Sequence, residues 1–369
     1  MKNIKIEYLS NSKLTEEFIK DVIDQLKDGL VGNKTSEEKE IIEKLISDLT
    51  AKTEGGFVIQ ENEYNFLSQN EKSLWTKYLI FRYKFKIYPL LKKLNDFPMH
   101  LLVELVSYCN LKCIMCFQSD PTFNKPEYMG QIDVDLFKKI VDEAVKENCG
   151  SLTMASRGEP TLHPQFGEIL EYIKGKFFDI KLNTNAMLLN EEKCHQILKN
   201  GVTELVFSVD ATSKEEYEKI RRNGNFEQVV NNIKQFHKIR TEFYPDSKCR
   251  TRISGVKYNQ NFDTEKFMEF WKAIVDNVVC ATMEDFHDTY NNKPNGKISS
   301  CPNPWWSLYI WYDGTVSPCD YDYKSQLNMG NVREKSIREV WTGEKFFELR
   351  NNHASGNRNR HIPCDRCEN

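Results

Sequence analysis

Long apolar runs are missing from this chain. No stretch approaches the roughly 18 residues that a membrane-spanning helix needs. The N-terminal segment MKNIKIEYLSNSK lacks the apolar core of a secretory signal. A dominant charge is missing too: the formal net charge is -3, which gives no reason to expect nucleic acid as a partner. Low-complexity tracts and internal repeats are absent. These absences lead to the expectation of a cytoplasmic protein with no transmembrane segment and no nucleic-acid ligand. What remains is an ordinary globular composition, 28% charged and 40% hydrophobic over 369 residues. That length suits one large domain with appendages, or a few small ones.

Cysteine is the exception. The chain has 11, many for a reduced compartment, where disulfides are rare and metal binding or catalysis is the better explanation. Cys109, Cys113 and Cys116 crowd into CNLKCIMC. Cys301, Cys319, Cys364 and Cys367 lie towards the C-terminus, and Cys149, Cys194, Cys249 and Cys280 stand singly.

Three regions follow from the patterning. Residues 1–97 read as a charged, helical N-terminal extension, with apolar residues at helical spacing over 13–27 and 36–50. The aromatic, basic stretch over 71–94 is a helix packing on the next domain, or alternatively a membrane-surface or partner-docking helix. Residues 98–290 alternate strands with amphipathic helices. Strands are expected over 101–107, 151–155, 178–183, 204–209, 250–256 and 277–283. Helices are expected over 134–147, 166–175, 191–200, 226–240 and 264–275. Six β-then-α units in series predict an α/β fold, a partial (β/α)6 barrel with its chemistry at the C-terminal strand ends. Residues 297–369 form a small C-terminal domain with a hairpin at Asp313-Gly314, a helix over 336–350 and a tail ending in CDRC.

Cys109-x3-Cys113-x2-Cys116 directly follows the first strand. Three thiolates on one loop can bind three irons of a 4Fe-4S cube and leave the fourth open to a cofactor. A structural zinc site normally needs a fourth ligand, and no histidine lies between His100 and His163 to provide one.

With these cysteines the sequence resembles the radical S-adenosylmethionine superfamily, and the resemblance runs through the barrel. It implies that the open iron chelates the amino and carboxylate groups of S-adenosylmethionine. Reductive cleavage then yields a 5′-deoxyadenosyl radical that abstracts a substrate hydrogen, with a reducing partner such as flavodoxin or ferredoxin. Met115 stands where the family often has an aromatic residue. Ser156-Arg157-Gly158-Glu159-Pro160 resembles the family's GGEP segment, so Gly158, Glu159 and Pro160 are implied to hold the cofactor's ammonium, with Arg157 replacing the first glycine. Asn183-Thr184-Asn185 resembles TNG, which implicates Asn183. Ser208-Val209-Asp210-Ala211 resembles SxDG, which implicates Ser208 and Asp210. Arg221 is implied to bind the cofactor's carboxylate, a task that suits a guanidinium fork; an exposed helix charge is the alternative. Glu284 and Asp285, after the sixth strand, are candidate proton acceptors or substrate ligands, or else capping or solvated acids.

Cys301, Cys319, Cys364 and Cys367 resemble a SPASM or twitch extension and are implied to saturate one auxiliary 4Fe-4S cluster, the second of two. A zinc ion held by the same tetrad is the alternative. Single cysteines are mostly buried hydrophobes. Cys280, within the sixth strand, is the one placed to face the lumen and return a hydrogen atom to a substrate radical. The resulting expectation is a radical enzyme that oxidises a small polar, sugar-like substrate with the auxiliary cluster as electron acceptor. A radical epimerase and a peptide-modifying maturase are the alternatives.

Overall fold

A computed structural model describes residues 14–51, 55–282, 289–296 and 298–367. The chain divides into two compact units, Met1–Asn95 and Asp96–Asn369.

In the first unit four helices are described: α1 (Glu16–Val31), α2 (Ser36–Ala51), α3 (Glu61–Gln69) and α4 (Trp75–Leu91). Thr15 caps α1 by accepting from the Phe18 amide at 3.1 Å. The aromatic, basic stretch forms α4, which packs on α1, α2 and α3, and its Tyr78 stacks on Phe66 of α3. Glu63 is buried and pairs with Arg82 at 2.7 Å and Lys86 at 2.8 Å, so its charge is compensated. Among the described residues no helix is long and apolar enough to cross a membrane.

The second unit is built on one sheet. Its strands are β1 (His100–Val103), β2 (Ser151–Met154), β3 (Asp179–Thr184), β4 (Glu204–Ser208), β5 (Arg250–Lys257) and β6 (Asn277–Thr282). These six lie side by side in chain order and are all parallel. Between them run α5 (Val134–Lys146), α6 (Phe166–Ile173), α7 (Glu191–Lys199), α8 (Lys214–Ile220) and α9 (Phe226–Phe243), and α10 (Thr264–Lys272). Asp133, Asn190, Ser213, Asn225 and Asp263 cap α5, α7, α8, α9 and α10 with side-chain oxygens. The expected β/α series is therefore present, and among the described residues the sheet stays open, with β6 at one edge.

Three further strands extend the sheet beyond β1. They are β7 (Ser307–Ile310), β8 (Thr315–Ser317) and β9 (Gly330–Asn331). β7 pairs parallel with β1, and β8 returns antiparallel through the Asp313-Gly314 turn, where Gly314 has φ 87°. The helix expected over 336–350 is two helices, α11 (Ile337–Trp341) and α12 (Glu344–Ala354). The break falls at Gly343, where a Cβ would sit 2.8 Å from the Glu339 carbonyl. β1 ends at Val103, short of the expected 107, because the chain turns out of the sheet towards the cysteine loop.

Strand alternation separates two faces. Leu152, Leu182, Leu205, Ile253, Val278 and Leu308 belong to the main hydrophobic core, against the helices. The alternate residues line the opposite face of the sheet.

Candidate active site

Cys109, Cys113 and Cys116 lie on the loop after β1, and each sulfur meets an N–H donor. The Leu111 amide donates to Cys109 Sγ at 3.4 Å and the Gln118 amide to Cys116 Sγ at 3.5 Å. Arg221 Nη1 donates to Cys113 Sγ at 3.8 Å, and Asn185 Nδ2 lies 3.7 Å from Cys109 Sγ. Donors on sulfur suit thiolates, the form that ligates iron. Burial, with repulsion from Glu159 and the neighbouring cysteines, pushes the Cys109 and Cys116 thiols up to about 12, so a cationic metal centre is what would hold them deprotonated. These residues fit the cluster expected of them.

Arg221 is buried, which removes the exposed-helix alternative. A two-residue antiparallel ribbon pairs Cys113 with Arg221 and Lys112 with Arg222, so the arginine is stitched to the cluster loop. Its Nε lies 2.7 Å from Asp210 Oδ2. Burial raises the Asp210 carboxyl against the opposing pull of Arg221. Asp210 also accepts from the Val256 amide at 2.9 Å, which ties the end of β4 to β5.

The segment after β2 packs under the same loop. A Cβ on Gly158 would lie 2.3 Å from the Val106 carbonyl and 2.4 Å from that of Tyr108. The glycine is thus demanded by the cluster loop. Gly158→Ala should displace that loop and lower iron incorporation at the first cluster, measured as iron per chain after reconstitution; unchanged iron content would refute the steric argument. Pro160 opens a buried turn, Pro160–Leu162. The Glu159 carboxylate accepts from Thr161 Oγ1 at 2.6 Å, Thr184 Oγ1 at 2.7 Å and the Asn185 amide at 2.7 Å. It braces the ends of β2 and β3, and burial raises its pKa. Ser156 holds φ at 107°, a strained value for a serine. Ser156 Oγ and Asn183 Oδ1 are buried without hydrogen-bond partners. Two orphaned oxygens at the strand ends are acceptors that a cofactor ammonium or hydroxyl could satisfy. Ser208, half-buried, ends β4 beside them.

Arg157 does not point to this shelf. Its Nε donates to Glu104 Oε1 at 2.7 Å, its Nη1 donates to the Tyr323 carbonyl at 2.9 Å, and its guanidinium lies 4.2 Å from the Trp311 ring centre.

Cys280 is a correction. It pairs with Gly255, whose missing Cβ would strike Phe267 of α10, and shares a strand face with Val278. It therefore packs against the helix-side core, not the lumen. Cys149, Cys194 and Cys249 lie in the same core. Glu284 and Asp285 lie outside the described residues.

Cys301 and Cys319 flank the β7–β8 hairpin, and Cys364 and Cys367 come from the tail. All four line one cavity, together with His353 and Arg358. Burial, with Cys301 and Cys367 adding repulsion, pushes Cys364 up to about 12. Four thiols lining one cavity match the ligand set of a 4Fe-4S cluster.

Sequence reasoning missed a charged cluster, Lys181, Glu204 and Arg252, on the sheet face opposite the helix-side core. Leu102, Thr153, Lys181 and Glu204 are consecutive neighbours across β1 to β4. Glu204 pairs with Arg252 at 3.0 Å. Burial and Arg252 lower the Lys181 pKa, while Glu204 and Asp320 raise it. The signal was present as charged residues inside otherwise apolar strands.

Comparison with known proteins agrees with this geometry. The radical SAM superfamily profile matches residues 103–270, and an iron-sulfur cluster-binding domain profile, SPASM, matches 301–368. The tungsten-containing aldehyde ferredoxin oxidoreductase cofactor-modifying protein of Pyrococcus furiosus is 25% identical over 301 residues, 68% of this chain and 83% of that protein. The antilisterial bacteriocin subtilosin biosynthesis protein AlbA of Bacillus subtilis is 27% identical over 296 residues, 69% of this chain but only 62% of the relative. Among solved structures, Streptococcus suis SuiB bound to precursor peptide SuiA aligns with TM-score 0.57 at 15% identity, over 90% of this chain and 83% of that one. BtrN in complex with AdoMet and 2-DOIA aligns with TM-score 0.51 at 19% identity, over 73% of this chain and 93% of that one. At these identities the two structures establish a shared fold. The chain belongs to the radical SAM superfamily and carries a C-terminal SPASM domain, and its cofactors are S-adenosylmethionine and 4Fe-4S clusters.

Proposed function

We propose that this enzyme oxidises a small polar substrate by hydrogen abstraction, with the auxiliary cluster as electron acceptor. The observation that carries the reading is the disposition of the eleven cysteines. Three sit on the cluster loop, four line one cavity, and the remaining four lie in or against the helix-side core. An epimerase needs a lumen thiol to return hydrogen, and none of the four single cysteines supplies one. S-adenosylmethionine and the first cluster supply the hydrogen-abstracting radical, and a reductant such as flavodoxin or ferredoxin supplies the initiating electron.

The chain's own residues do the rest. Cys109, Cys113 and Cys116 hold the first cluster, and Arg221, fixed by Asp210, presents positive charge beside it. Gly158, Glu159 and Pro160 shape the shelf, and Asn183 and Ser208 offer acceptors at the strand ends. Lys181, Arg252 and Glu204 give one face of the sheet fixed charges that suit a polar ligand. After abstraction the substrate radical loses a proton and an electron, so the product is two hydrogens lighter. Glu284 or Asp285 is the proposed proton acceptor.

A second reading, a peptide substrate, is favoured by the AlbA match across 69% of the chain. Anaerobic incubation with dithionite and deuterated candidates of both classes separates them by which label reaches 5′-deoxyadenosine. With the true substrate, unlabelled, we expect a product two mass units lighter by the loss of two hydrogens, no deuterium uptake from heavy water, and activity retained in Cys280→Ser. A product of unchanged mass in ordinary water that carries one deuterium in heavy water would sink the oxidation reading.

A further inference from the structure

Arg358 is nearly inaccessible, 1% exposed, and lies on the short turn that follows α12. Its side chain reaches the cysteine cavity, which it lines with Cys301, Cys319, Cys364 and Cys367. Nε donates to the Cys364 carbonyl at 3.0 Å, and Nη2 to the Cys367 carbonyl at 3.0 Å. Nη1 donates to the Ser299 carbonyl at 3.1 Å. One guanidinium thus clamps the backbone of the tail's two cysteines to the segment that leads into Cys301. On the other side, His353 accepts from the Cys301 amide at 3.2 Å.

These three acceptors are neutral carbonyls, so the bonds to them orient the guanidinium and leave its charge in place. A four-thiolate cluster carries net negative charge and gains one more negative charge on reduction. In a buried site with weak screening, a fixed cation favours the more negative state. It also offsets the desolvation of buried thiolates, in keeping with the downward pull of Arg358 on the Cys301 and Cys364 thiols.

We propose that Arg358 is the built-in countercharge of the auxiliary cluster: it positions the Cys364 and Cys367 loops, and its positive charge raises the cluster's reduction potential. The inference deepens the electron-acceptor reading and rests on it only for its biological purpose. A higher potential favours transfer of the substrate radical's electron to the auxiliary site.

The test needs no substrate, so it stands or falls separately from the oxidation reading. In the full-length chain with Cys109, Cys113 and Cys116 changed to Ala, the auxiliary cluster is the only one reconstituted. Its midpoint potential is followed by paramagnetic resonance during a redox titration, beside Arg358→Lys and Arg358→Gln in the same background. We expect Arg358→Lys to titrate near the parent and Arg358→Gln to shift downward. Failure of Arg358→Gln to retain iron, with Arg358→Lys retaining it at the parent potential, also supports the role of charge. The proposal is overturned by a parent potential in Arg358→Gln, by equal downward shifts in both variants, or by loss of iron from both. The last two results would reduce Arg358 to a hydrogen-bonding clamp.

Discussion

Changing Cys109, Cys113 and Cys116 together to Ala should abolish 5′-deoxyadenosine formation and halve the iron content. By ligand inventory the reconstituted protein holds about eight irons per chain, and the variant should hold about four. The effect is total because the three sulfurs share one loop after β1 and no other described residue can replace them. Asn185 and Arg221 contribute donors to those sulfurs and carry no ligating group of their own. The auxiliary tetrad should survive, since Cys301, Cys319, Cys364 and Cys367 line their own cavity. Iron analysis and chromatography of the cofactor products check both halves. Continued cofactor cleavage by the triple variant would remove the basis for the assigned chemistry.

Removing one partner of the Glu104–Arg157 pair should destabilise the second unit by about 3–5 kcal/mol, because it leaves a buried charge uncompensated. Glu104 is fully buried and Arg157 is 3% exposed. The pair spans the end of β1 and the segment after β2, and Arg157 continues to the Tyr323 carbonyl in the C-terminal part of the unit. Glu104 also accepts from the Tyr312 amide at 3.2 Å, beyond β7. Glu104→Leu and Arg157→Met should each lower the denaturant midpoint strongly. The double variant should recover much of the loss, since an apolar pair of similar volume leaves no charge behind. Equal losses in single and double variants would show that the hydrogen bonds to Tyr312 and Tyr323, rather than the charges, stabilise this junction.

The primary structure by itself determined the cluster loop, the β/α series and the second cysteine set. Ligand spacing within CNLKCIMC is local, so a few residues suffice to specify it. The strand and helix periods are also local, and the observed elements fall within a few residues of those expected. Only the tertiary structure decided what depends on faces and on distant partners. Cys280 looked available to the lumen, but strand side chains alternate, and register places it with Val278 against the helices. Arg221 is ambiguous in YEKIRRNG, because nothing nearby in sequence reveals that it pairs with Cys113 in a ribbon and with Asp210 across the site. Arg157 looked like a substitution in a cofactor motif until its partner proved to be Glu104, 53 positions away. Lys181, Glu204 and Arg252 are separated in the chain and meet because neighbouring parallel strands bring them to one face of the sheet. Arg358 joins the auxiliary site through backbone carbonyls, acceptors that every residue carries and that leave no mark in a sequence.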